Sequence, residues 1–237
     1  MDAQLRCQRC WLGASSAVLP DKPDRFDHRQ QTACTVNCTA AIVAGGPASR
    51  FEGRDKSALL IAGRSILERQ ISVLGSVTDR IMIVAGDVAR FSAVGLPVVA
   101  DLVPGAAAIG AVYTAINAAR TENVLVVACD MPFLTRAFLE HLIECATDAD
   151  LVIPHPADGY QPLCAVYARG CIGPIRSRIA SRALRVQDLA TEVRTREIGP
   201  DELARFDPDG LLFFNVNTPG DHARAEHLAL HHDGQHA

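Results

Sequence analysis

Three things this sequence lacks narrow its function before any residue is singled out. The chain of 237 residues carries a formal net charge of −4, which argues against a general nucleic-acid binder, since affinity for a phosphate backbone needs a cationic surface. No apolar run approaches the roughly 18 residues of a spanning helix. Trp11 to Leu19 reads poorly as a signal segment, being short, rich in Ser and Gly, and followed by Pro20-Asp21-Lys22 rather than a cleavage site. A cytoplasmic protein with no nucleic-acid and no membrane partner is therefore expected. Also missing are an internal repeat, a Pro- or Gly-rich linker, and any Ser/His/Asp or Cys/His arrangement suited to nucleophilic catalysis.

What is present is a hydrophobic fraction of 49% and a charged fraction of 21%, the balance of a globular chain long enough for one large domain plus an extension. Eight cysteines, four of them spread through apparent core, read as reduced thiols rather than a disulfide framework. Residues 1 to 38 are polar, carry Pro20 and Pro23, and show no sustained period, so they read as a flexible extension. Cys7-x-x-Cys10 and Cys34-x-x-x-Cys38 match the ligand count of a structural zinc site, yet no strand or knuckle signal and no apolar mini-core lies between them. The domain proper is expected over 39–230, with 231–237 a disordered tail. That tail shares a run of histidines with His222 and His227, which we read as solvated.

From Thr39 onward, short apolar segments alternate with amphipathic ones. Strands are expected at 40–44, 81–85, 97–100, 124–129, 151–153, 163–167 and 193–198. Helices are expected at 65–75 (with Ile66, Leu67, Ile71 and Leu74 on one face), 108–119, 135–147, 171–180, 184–191 and after Pro219. The order implies an α/β fold, a mostly parallel but mixed sheet with helices on both faces.

In such a sheet ligands sit outside the carboxyl ends of the strands. The first strand ends in Val43-Ala44-Gly45-Gly46, where paired glycines let backbone N–H groups approach an anion, and Arg50 and Lys56 bring cations to the same loop. The loop is neither G-x-G-x-x-G nor G-x-x-x-x-G-K-[ST], and a plain strand-to-helix turn would look similar. Asp101 and Asp130 close two other strands. Asp130 follows an unbroken apolar run and precedes Pro132, a placement suited to Mg²⁺, which takes one or two carboxylates plus phosphate oxygens. Its alternative role is a helix cap, for which Thr135 is better placed.

These stretches, in this order, resemble the molybdenum cofactor guanylyltransferases. The resemblance rests on residues 45–60, on Asp101 to Ile116 with Pro104-Gly105 and Tyr113-Thr114-Ala115, on Cys129-Asp130-Met131-Pro132-Phe133-Leu134, on Asp158-Gly159-Tyr160-Gln161-Pro162-Leu163, and on Asn215-Val216-Asn217-Thr218-Pro219. It spans about 40 to 228. It implies a Rossmann-like nucleotide-diphospho-sugar transferase fold and transfer of GMP from Mg²⁺-GTP to molybdopterin, with release of pyrophosphate. By the same resemblance, Val43, Ala44, Gly45 and Gly46 would hold the nucleotide with Asp101, Lys56 and Arg50 the phosphates, and Asp130 the Mg²⁺. Gln161, Asn215 and Asn217 would face the pterin, Asn217-Thr218-Pro219 reading equally as a helix start. Arg176, Arg178, Arg182 and Arg185 suit the pterin phosphate or simply a solvated helix face. Molybdoenzyme maturation proteins would be partners.

The chain departs from the family pattern in three places. Ala107-Ala108-Ile109-Gly110-Ala111 stands where Gly-Pro-Leu-Gly-Gly is usual, Val84 where an Asn often ends the second strand, and Phe51-Glu52 where Met-Gly is usual. Two rivals follow from these: a sister enzyme using CTP, and a non-catalytic nucleotide-binding accessory protein.

Overall fold

The computed structural model describes residues 37–45 and 56–232, all within one compact unit. β1 (Cys38–Ala44) comes first; a 3-10 turn at Lys56–Ala58 then leads into a small hairpin of β2 (Leu60–Ile61) and β3 (Arg64–Ser65). Next come α1 (Ile66–Gly75), β4 (Ile81–Ala85), β5 (Val98–Ala100), α2 (Ala107–Ala118) and β6 (Asn123–Ala128). The chain continues through α3 (Arg136–Glu144), β7 (Leu151–Pro154), β8 (Cys164–Ala168), α4 (Ile172–Ala180), β9 (Thr195–Ile198), α5 (Pro200–Leu203) and α6 (Pro219–His232).

The main sheet has the strand order β5-β4-β1-β6-β8-β7-β9. Only β8 opposes its neighbours; every other pairing is parallel. β1, β6, β7 and β8 are buried at every position, as a sheet covered on both faces requires. The two faces separate cleanly by alternation along β1. Ala40 and Ile42 pack with Leu67 and Leu74 of α1 and Phe138 and Leu142 of α3, whereas Ala41 and Val43 pack with Ile109, Val112 and Ile116 of α2 and Ile175 of α4. A third cluster, Ile61, Ile66, Val216, Ala225 and Ala229, seats α6 on the hairpin.

Local chemistry sets the helix starts. Ser65 caps α1 in a reciprocal box with Glu68, and Thr135 caps α3 by accepting from the Phe138 N–H, so Asp130 is not needed there. Thr218 and Asp221 exchange the same kind of bonds at α6.

Several expectations are corrected. The first strand starts at Cys38, inside the expected extension. That thiol is buried and donates to the Thr39 carbonyl; the other three N-terminal cysteines lie outside the described residues. α6 extends through His232, so the expected tail loses its first two residues to helix, and 233–237 lie outside the described residues. His222 is not simply solvated, since its ring lies 2.6 Å from the Leu60 carbonyl. The stretch expected as a helix at 184–191 is a 3-10 segment, Val186–Thr191. Gln70, not Ile71, shares the buried row of α1 with Ile66, Leu67 and Leu74.

Candidate active site

Strand order creates the site. The chain leaves β1 toward β4 and β5 on one side, then crosses by α2 to β6 on the other. At such a reversal the loops diverge and leave a crevice beyond the strand ends. Val43 pairs with Ala128, and the Cys129 N–H donates to the Val43 carbonyl at 3.1 Å, so Gly45 and Asp130 leave adjacent strands side by side. Because β8 runs the other way, it begins where β6 ends. The Ala128 N–H donates to the Leu163 carbonyl at 2.8 Å, bringing Gln161 and Pro162 to the rim. The segment before α6 crosses over the top, with the Val216 N–H donating to the Asp130 carbonyl at 3.0 Å.

The result is a cavity of about 300 Å³ lined by Val43, Gly45, Ala128, Cys129, Asp130, Met131, Gln161, Pro162, Leu163, Asn215 and Asn217. Asp130 is the only carboxylate among these lining residues. Among the described residues, no atom lies within 4 Å of where a Cβ at Gly45 would stand, so its backbone faces the crevice openly.

The walls are braced from several directions. Gln70, 1% exposed, reaches up from α1 and donates to the Ala128 and Met131 carbonyls at 2.5 and 3.1 Å, on either side of Asp130. The buried Tyr167 hydroxyl donates to the Pro162 carbonyl at 2.6 Å. Glu197 on β9 accepts from the Tyr160 hydroxyl at 2.6 Å, and its other oxygen lies 3.1 Å from His155 Nδ1. The hydroxyl and the imidazole hold the Glu197 carboxyl below its usual range, while His155 stacks on Tyr160 at 3.9 Å. The crossing segment is pinned by Phe213 against Phe138 and Phe214 against Phe133, and by Asp207, which accepts from the Leu211 and Leu212 N–H groups.

Of the residues singled out from sequence, Val43, Gly45, Asp130, Gln161, Asn215 and Asn217 meet in this cavity. Ala44 closes β1 beside it. Lys56 opens the turn before the hairpin, its backbone alone being described; Gly46 and Arg50, with Phe51 and Glu52, lie outside the described residues. Asp101 does not line the cavity. It opens the loop after β5, and its Oδ1 accepts from the Thr114 hydroxyl and the Val103 N–H, both at 3.0 Å. Arg178 is withdrawn from the proposed basic stretch, because it is buried and its guanidinium is taken by Glu192 and Asp188 at 2.5 and 2.9 Å. Arg176, Arg182 and Arg185 remain exposed. Sequence reasoning missed Gln70 and Glu197. A polar residue on the apolar row of α1 was the available signal for the first; Glu197 gave none.

A largely parallel sheet that opens at its reversal point onto Gly45 and the Asp130 carboxylate has the nucleotide-diphospho-sugar transferase fold. The MobA-like NTP transferase domain matches residues 40–192, and the chain belongs to that family. A relative from Pelotomaculum thermopropionicum, named a probable molybdenum cofactor guanylyltransferase, is 31% identical over 194 residues, covering 82% of this chain and 94% of that one. The molybdenum cofactor guanylyltransferase of Desulfosudis oleivorans is 30% identical over 189 residues, covering 79% and 94%. The crystal structure of molybdopterin-guanine dinucleotide biosynthesis protein A from Archaeoglobus fulgidus shares the fold, with a TM-score of 0.70 at 24% identity, over 81% of this chain and 99% of that one.

Proposed function

We propose that this chain transfers GMP from GTP to the terminal phosphate of molybdopterin, releasing pyrophosphate, with Mg²⁺ as its metal. The observation that carries the reading is the juxtaposition of Gly45 and Asp130 across the β1–β6 crevice, in a chain whose relatives carry that guanylyltransferase name. The donor set fits the metal, since Mg²⁺ takes one or two carboxylates with phosphate oxygens and water. Asp130 supplies the carboxylate, and its neighbours Gln161, Asn215 and Asn217 are neutral amides that do not compete as cations. When bound, Mg²⁺ neutralises charge on the triphosphate and on the departing pyrophosphate.

The chain's own residues do the rest. The backbone of Val43, Ala44, Gly45 and Gly46 cradles the nucleotide, Asp101 orders the loop beside it, and Arg50 and Lys56 offset phosphate charge. Gln161, Asn215 and Asn217 offer amide donors and acceptors to the pterin from the other wall. A phosphate acceptor is already anionic at neutral pH, so no side chain needs activation as a nucleophile. The acceptor oxygen bonds to the α-phosphorus as the bond to the β-phosphate oxygen breaks, and pyrophosphate leaves with the electron pair. We assign the reaction to the cytoplasm, where free thiols such as Cys38, Cys164 and Cys171 stay reduced, with maturation proteins of molybdoenzymes receiving the product.

Asp130→Asn tests the metal role, because a neutral amide is a poor ligand for a hard cation. Turnover is expected to fall about 10²- to 10³-fold with the fold intact. Lys56→Ala is expected to lower kcat more than it weakens GTP binding, as befits a contact that strengthens on the leaving group. Wild-type rates in either variant would remove that residue from the mechanism.

A further inference from the structure

Away from the crevice, three unlike ligating side chains converge between α3 and α5. His141 stands in the last turn of α3, Cys145 follows four residues on, a spacing that puts both on one helical face, and Glu202 reaches them from α5. Their donor atoms all lie within 4.8 Å of one another. His141 Nε2 is 3.7 Å from Cys145 Sγ and 2.6 Å from Glu202 Oε1. Two ligands on a tetrahedral zinc ion, each about 2.0–2.3 Å from the metal, are about 3.5 Å apart. The nitrogen–sulfur edge already has that length, and Glu202 has only to withdraw by roughly 1 Å to match it.

The surroundings are those of a metal site. Phe206 stacks on the His141 ring at 4.7 Å and fixes its plane. Arg196 Nη2 donates to both Glu202 oxygens at 2.8 Å, and ligating carboxylates are held by outer hydrogen bonds of this kind. The His141 and Glu202 side chains are 21% and 22% exposed, so water can reach a fourth coordination position. An ion pair between His141 and Glu202 accounts for two of the three groups but leaves a thiol at ligand distance from the same nitrogen unexplained. Sulfur, imidazole and a single carboxylate make a set for a borderline-soft cation, unlike the all-oxygen surroundings that Mg²⁺ takes.

We propose that His141, Cys145 and Glu202 form a second metal site, for a thiophilic divalent cation of the zinc class, which ties the end of α3 to α5. It is independent of the reaction assigned to the crevice. Coordination releases the Cys145 thiol proton to solvent, and His141 binds through Nε2 as the neutral imidazole with its one ring proton on Nδ1.

Cobalt(II) is the probe, added to the full-length protein after chelator treatment. One equivalent is expected to give a thiolate-to-cobalt charge-transfer band with the visible bands of a tetrahedral ion, displaced by zinc. Cobalt at Asp130 has only Cys129 as a thiol lining the same cavity, and a Cys129→Ala background removes that source of the band. Cys145→Ser is expected to abolish the charge-transfer band, and zinc to raise the unfolding temperature of wild type but not of the variant. His141→Gln, which keeps an amide opposite Glu202, repeats the test if Cys145→Ser does not fold. A band of undiminished strength in Cys145→Ser, or of unweakened cobalt affinity in His141→Gln, belongs to another thiol such as Cys7, Cys10, Cys34 or Cys129 and overturns the proposal, as does the absence of any band up to millimolar cobalt.

Discussion

Gln70 occupies a position where the helical period of α1 calls for a hydrocarbon, three residues after Leu67 and four before Leu74. It repays that place by holding the carbonyls on both sides of Asp130. Its Oε1 is buried with no hydrogen-bond partner among the described residues, which offsets part of the gain. Gln70→Leu is expected to cost about 1 kcal/mol of stability, the net of two lost bonds against one relieved acceptor, and to lower turnover by loosening the Asp130 loop. Urea midpoints and rates for both proteins check this; an unchanged rate would separate Gln70 from the site. The contrast with Asp130 shows what a sequence reveals at this scale. A carboxylate straight after a buried strand stands out by position alone, whereas Gln70 acts on carbonyls 58 and 61 residues away that no local pattern predicts.

At the scale of elements, the hairpin under α6 turns through Ala62-Gly63, both with positive φ, at 48° and 76°. That is a type I′ turn, which favours Asn-Gly. Ala62→Asn is expected to raise stability by roughly 0.5 kcal/mol, since Asn tolerates the left-handed region better than Ala without the entropy cost of glycine; thermal or urea unfolding measures it, and a loss of stability would contradict the turn assignment. Ala107 is strained in the same way at φ 51°, and Gly110 has no alternative, since a Cβ would lie 2.9 Å from the Val103 carbonyl. The parallel strands were legible because fully buried strands read as continuous apolar runs, and the β7–β8 reversal because its polar turn is too short for a crossover helix. The β2–β3 hairpin was not, because strands of two residues carry no period. The run Leu211 to Val216 forms no strand; its aromatics fasten a crossing loop instead.

For the whole molecule, the buried thiols make stability depend on alkaline pH. Burial pushes Cys38 up to about 11 and Cys164 and Cys171 up to about 12, from 9.0. The unfolded chain thus loses these protons first. Their contribution is complete below pH 9 and is lost as pH rises toward 11 and 12, on the order of several kcal/mol in total. Denaturation midpoints measured between pH 8 and pH 11 are expected to fall steeply, and the fall to be shallower in Cys164→Ala. A flat profile would mean that these thiols ionise as readily folded as unfolded. At the edges of the domain expected from sequence, Cys38 and His232 both belong to the fold.

The most direct test of the central claim is to incubate the purified protein with molybdopterin and Mg²⁺, giving GTP, CTP or ATP in turn, and to follow pyrophosphate release. Release with GTP that requires molybdopterin, and far less with CTP or ATP, is the expected result. A preference for CTP would make this the sister enzyme, and nucleotide binding without any release would contradict catalysis at the β1–β6 crevice.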